Sequence, residues 1–218
     1  MNQPASPLSP RRKPRQTRSR TTADAIAEAF LQLLMEKGYD KVSIRQIVNL
    51  AGVGIGSFYE YFSSKASVAA VCVHLRVKGV AQKMKAAVAA RSDSALPDRV
   101  DAMITAQVAD VMAEPRQWAA LLLIERQVSP LEVHQRMYGE FVTLWARCLS
   151  AGPDWPADAP LDHAALTAHA ITYGLVTQSL IAFDAVPQQD ALLRQLRFAV
   201  HGYLSVLAPH AYRFHRFE

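Results

Sequence analysis

GYDKVSIRQIVNLAGVGIGSFYEYFSSK, residues 38–65, is the stretch that decides the fold. Ser43 stands directly before Ile44, Ile47, Val48 and Ala51, so a hydroxyl able to cap a helix opens a short run of apolar residues at helical spacing. Gly52 closes that run, because glycine accepts the left-handed conformation of a helix stop without strain. After the compact Gly52-Val53-Gly54 turn, residues 55–62 are too short to stand as an isolated helix, yet Phe58 and Phe62 lie four apart and can anchor one face against their neighbours. Two short helices joined by a glycine-containing turn of about three or four residues make a helix-turn-helix.

Working outward, Ala23, Ile26, Ala27, Phe30, Leu33 and Leu34 recur at helical spacing from Thr22 and stop at Gly38, which predicts a first helix. Before it, Pro4, Pro7, Pro10 and Pro14 lie among Ser and Arg and block regular structure, so residues 1–16 are expected to form a disordered basic arm. After Lys65 the apolar spacing predicts longer helices over residues 66–90, 97–113, 116–128, 131–151, 161–184 and 188–207, with no strand signal. The expected fold is all-α, about nine helices in all. It divides into a three-helix head carrying the helix-turn-helix (17–65), a larger C-terminal helical bundle (66–208) and a tail (209–218).

Charge gives the head a partner. Residues 1–65 hold ten of the 24 basic side chains and five of the 19 acidic ones, so the whole +5 formal charge of the 218-residue chain lies there; the remainder carries fourteen of each. Positive charge gathered at one end suits a polyanion, since neutralised phosphates release counterions, and double-stranded DNA is the polyanion a helix-turn-helix reads. Cys72 and Cys148 sit far apart in apolar stretches, as small buried hydrophobes do in a reducing compartment. No secretory signal and no membrane-length apolar run is found, so a cytoplasmic protein without a membrane partner is expected. No phosphate-binding glycine loop, nucleophile elbow or His and Cys pair at metal spacing occurs, which argues against an enzyme, a metal and a cofactor.

The series Gly38-Tyr39, Ser43-Ile44-Arg45, Ile47, Ala51-Gly52-Val53, Gly56-Ser57-Phe58-Tyr59-Glu60-Tyr61-Phe62 and Ser64-Lys65 resembles the TetR family of bacterial transcriptional repressors. The resemblance implies that Ser57 and Tyr59 clamp phosphates beside a recognition helix and that Lys65 does so from the start of the fourth helix. Ser43 and Tyr61 supply further phosphate-binding groups, while Gly54 and Gly56, lacking side chains, let the phosphate backbone approach closely. Arg45 is the best direct base reader, through guanine O6 and N7, and Ile55 can meet a thymine methyl. Arg18 and Arg20, just before the first helix, suit phosphate or minor-groove contact. The chain departs from the family pattern at Gly54, where a hydroxyl cap is usual, at Val48, where alanine is usual, and at Ala66, where an acid often sits.

In the larger domain, residues 161–184 are apolar nearly all round and need burial on two sides. The last helix carries a stripe at Leu193, Leu196, Val200, Tyr203 and Leu204. A homodimer interface is expected from Gly174, Thr177 and Ile181 with Leu196, Val200 and Tyr203, as the resemblance implies. An effector pocket is expected among Met103, Gln107, Trp118 and Leu122 with Arg126, Tyr138, Trp145 and Tyr173, and His169 is a further polar candidate. A small, largely apolar effector would release such a repressor from its operator by tilting the fourth helix. A helical DNA- or partner-binding protein without an effector remains the alternative, with an enzyme behind it.

Overall fold

The computed structural model describes residues 17–182 and 186–213, with side chains described from Thr21 onward. The described residues form helices α1 (Thr17–Lys37), α2 (Ile44–Ala51), α3 (Ile55–Tyr61), α4 (Lys65–Ala89), α5 (Leu96–Ala113), α6 (Pro115–Val128), α7 (Leu131–Ser150), α8 (Leu161–Ile181) and α9 (Gln189–Leu207), with a single 3-10 turn at Tyr39–Lys41 and no strand. Each predicted helix is present, its ends within a few residues of the expectation wherever they are described. The arm over residues 1–16, Phe183 and residues 214–218 lie outside the described residues, as do the side chains of Arg18 and Arg20.

Local chemistry sets these boundaries. Gly38 leaves α1 at φ 75°, and Gly52 ends α2 in the left-handed region at φ 66°, ψ 31°, where any other residue would be strained. Ser43 caps α2 through a reciprocal box with Gln46, and Ser64 caps α4 in the same way with Ser67: the Ser67 N–H donates to Ser64 Oγ and the Ser64 N–H to Ser67 Oγ, both at 3.1 Å.

The chain folds as two compact units, and they do not meet at a single cut after Lys65. The first takes the described residues to Arg76 together with Arg116–Leu131; the second takes Val77–Pro115 and the described residues from Glu132. In the first, α1, α2 and α3 pack on one another around Ile26, Phe30, Ile47, Phe58 and Phe62, all fully or almost fully buried. In the second, α9 packs on both α5 and α8. The inward stripe of α9 is Leu192, Leu196, Val200 and Leu204.

Two polar clamps tie α5 into the second unit. Arg99 is buried, and its guanidinium donates to the Cys148 carbonyl at 3.1 Å and to Asp154 at 2.8 Å. Asp154 also accepts the Leu96 N–H. A Cβ on Gly152 would lie 2.5 Å from that guanidinium, so any other residue there would displace the Arg99–Asp154 pair. In the second clamp Asp101 holds Arg197 at 3.2 Å and His201 at 2.7 Å, and His201 meets the Tyr212 hydroxyl at 3.1 Å. Tyr212, in the segment expected as the C-terminal tail, is buried.

Candidate nucleic-acid interface

The exposed side of the head is built by α2 and α3. Arg45 and Asn49 lie four residues apart on α2, exposed on the side away from buried Ile47 and Val48. On α3, Ile55 and Tyr59 are likewise four apart and remain 52% and 47% exposed. Phe58, fully buried, meets the Tyr59 ring edge-on at 5.4 Å and the Phe62 ring at 5.9 Å, so packing fixes Tyr59 while its phenol stays in solvent. Ser57 is half-buried beside it.

Gly54 caps α3 with no side-chain hydrogen bond, and a Cβ added at Gly54 or Gly56 would meet no heavy atom within 4 Å. The packing of this chain therefore imposes neither glycine. Lys65 donates to the Tyr39 carbonyl at 2.7 Å and sits 4.1 Å from the centre of the Tyr39 ring. These contacts hold the ammonium in place and leave two N–H donors for another acceptor.

Two expected contacts change. Tyr61 is 5% exposed and belongs to the core of the head, because a residue two positions from Tyr59 points to the other side of a helix. It is not a surface clamp. The Ser43 hydroxyl is used within its own box: it accepts the Gln46 N–H at 3.3 Å and donates to Gln46 Oε1 at 3.1 Å, while the Ser43 N–H donates to the same Oε1 at 2.9 Å. Its first role is to start α2. Sequence reasoning passed over Asn49, which helical spacing from Arg45 could have found.

The residues expected to line an effector pocket fall in different places. Trp118, Leu122 and Arg126 lie on α6 in the first unit, with Arg126 exposed; Met103, Gln107, Tyr138, Trp145 and Tyr173 lie in the second. Met103 and Trp145 are fully buried. What the second unit brings together is an aromatic cluster around His169. Its ring stacks on Phe141 (5.3 Å, 11° between planes), meets Tyr138 edge-on at 4.4 Å and lies 5.9 Å from Tyr173, which is 6.0 Å from Tyr138. Burial pushes the His169 pKa down to about 4, so the imidazole is neutral near pH 7. Among the described residues its Nδ1 has no hydrogen-bond partner, nor have the buried Gln107 Oε1 and Trp145 Nε1. Each such atom costs about 1–3 kcal/mol while unmet.

The expected dimer face is corrected in part. Leu196 and Val200 are fully buried inside the protomer, so they cannot meet a second chain. The apolar side chains that α9 leaves in solvent are Phe198, 74% exposed, and Val206, 78% exposed, with exposed Gly202 between them. Tyr203 beside them is half-buried, and Gly174, Thr177 and Ile181 are partly exposed on α8, where Leu166 extends the same face.

Comparison with known proteins agrees with this architecture. The family model for bacterial regulatory proteins of the tetR family matches residues 26–72, and that of the tetracyclin repressor-like C-terminal domain matches residues 95–204. The chain belongs to the TetR family. Its members are transcriptional regulators rather than enzymes; they bind operator DNA and typically dimerise. The transcriptional regulator YvdT of Bacillus subtilis is 50% identical over 42 residues, covering 19% of this chain and 22% of its own. The transcriptional regulator AcuR of Cereibacter sphaeroides is 42% identical over 67 residues, covering 28% and 31%. The matched stretches thus span less than a third of either relative. A transcriptional regulator from Pseudomonas aeruginosa PAO1 has the same fold (TM-score 0.67, 23% identity, 92% of this chain and 97% of that one). So does the fatty acid degradation regulator FadR of Bacillus halodurans (TM-score 0.67, 18% identity, 88% and 98%). As a TetR-family protein the chain is a DNA-binding transcriptional regulator, and no helix among the described residues is long and apolar enough to cross a membrane.

Proposed function

We propose that this regulator is a cytoplasmic, homodimeric repressor that leaves its operator when a small, largely apolar effector enters the second unit. The observation that carries the DNA-binding part is the pairing of Arg45 with Asn49 and of Ile55 with Tyr59 on exposed faces of two helices whose opposite faces are buried. Arg45 and Asn49 carry the bidentate chemistry that guanine and adenine accept, and Ile55 can meet a thymine methyl. Tyr59, Ser57 and Lys65 serve the flanking phosphates, with Gly54 and Gly56 leaving room for the backbone. Dimerisation through Phe198, Gly202 and Val206 of α9 with Leu166, Gly174, Thr177 and Ile181 of α8 would present two such heads to a near-palindromic site.

The effector part rests on the cluster around His169, a neutral, buried imidazole with an unmet Nδ1 among aromatic rings. An apolar ligand carrying one hydrogen-bonding group fits that chemistry. It releases DNA only to the extent that it binds the DNA-free state more tightly, and α4, which belongs partly to each unit, is the element to carry the change. The test is selection from random duplex DNA at fixed salt, with Arg45→Ala and Tyr59→Phe alongside. Enrichment of a near-palindrome that both substitutions weaken supports the reading. Absence of an enriched site, or indifference to both, refutes it.

A further inference from the structure

A second charged surface lies away from the helix-turn-helix. Within the second unit α4 and α7 flank an open groove of about 620 Å³ lined by Lys78, Ala81, Gln82 and Lys85 from α4 and by Arg136, Gly139, Glu140, Thr143, Leu144 and Arg147 from α7. Four lining residues are cationic and one is acidic, although residues 66–218 carry fourteen of each sign. Lys78, Lys85, Arg136 and Arg147 are all exposed, and none of them is in an ion pair among the described residues. On α4 the two lysines stand about 10 Å apart along the helix, and on α7 the two arginines about 16 Å apart, by their separation in sequence. Between the cations the floor is small and apolar: Ala81 and Leu144 are half-buried, and Gly139 has no side chain to fill the middle.

We propose that this groove is a binding site for a phosphate-bearing organic anion with an apolar body. The volume falls in the range of small-molecule sites, and phosphate oxygens answer the two arginine forks as well as the two lysine ammonium groups. The small floor takes the apolar body, as it could not take a fully hydrated polyanion. The net positive charge gathered in one groove is self-repelling, and a multiply charged anionic ligand removes that repulsion. The aromatic cluster around His169 is a different place with different chemistry: it offers no cation, and its imidazole is neutral. The groove therefore stands or fails apart from the DNA-binding and effector readings above.

The test is titration calorimetry of the full chain with decyl phosphate below its micelle concentration, with inorganic pyrophosphate and with decanol. Decyl phosphate should bind at least about tenfold more tightly than pyrophosphate, which supplies charge alone, and decanol should not bind in the groove. The combined Lys85→Gln, Arg136→Gln, Arg147→Gln variant should lose about tenfold or more in decyl phosphate affinity while keeping its melting temperature. No binding, or equal binding to the variant, overturns the proposal. A fourth titration with a random duplex separates a small-anion site from an accessory DNA surface: if the variant loses duplex affinity and keeps decyl phosphate affinity, the proposal is overturned. Because these three side chains are exposed, the variant tests binding rather than folding.

Discussion

Arg45 and Tyr59 differ in what their loss should do. On the proposed reading, in which Arg45 contacts a base, Arg45→Ala should cost about 1–3 kcal/mol at the preferred operator and relax selectivity at one base pair. On the same reading Tyr59 contacts a phosphate, and Tyr59→Phe should weaken all sequences alike. Binding to matched and mismatched duplexes at one salt concentration distinguishes the two. His169 makes a separate prediction. Its folded pKa is lowered to about 4, so its contribution to stability is complete above the ordinary histidine value and is lost as pH falls from about 6.5 toward 4. The loss should reach at most about 3 kcal/mol. Denaturation midpoints across that window should fall steeply in the parent and less in His169→Gln. Asp101 acts at lower pH. Burial works against its ionisation, but the hydrogen bond and charge of His201 and those of Arg197 outweigh this and lower its pKa, so its contribution fades only below the usual carboxylate range.

At the scale of helices, much was legible because the signals are local. Ser43, Gly52 and Gly38 mark ends by capping chemistry that needs no distant partner, and the structure has helix ends at all three. Ser43→Ala should destabilise the protein by about 1 kcal/mol, and Gly52→Ala by about 1–2 kcal/mol, as read by urea denaturation. What was not legible is which neighbour an apolar face meets. Leu196 and Val200 form a stripe that periodicity finds, but periodicity does not say whether its partner is α5, α8 or a second chain. Tyr61 misled for a related reason, because a tyrosine in an aromatic run reads equally as a clamp or as core. The groove between α4 and α7 escaped the sequence because its four cations come from helices far apart in the chain.

For the molecule as a whole, the exposed pair Phe198 and Val206 marks where a second copy should dock. Phe198→Glu combined with Val206→Glu should shift the protein to monomer in light scattering and weaken operator binding, since a single head loses the second half-site. Leu196→Ala acts differently: it empties a fully buried site and should cost about 2–5 kcal/mol of folding stability. The fold class and the head were readable because a helix-turn-helix packs within a few dozen residues. Where the division into two units falls was not, because residues 116–131, which hold most of α6, group with the head across an intervening helix.

The two cysteines give the molecule a pair of built-in clocks. Cys72 lies in the first unit and Cys148 in the second, both buried, and burial raises each thiol pKa to about 12. At neutral pH neither should react with a thiol reagent until its surroundings open, so the labelling rate at each sulfur times the opening of one unit. An operator duplex should slow the Cys72 clock first, and an effector seated near His169 the Cys148 clock. A compound that slows Cys148 labelling while hastening the loss of DNA would be recognised as an effector before its binding site was mapped.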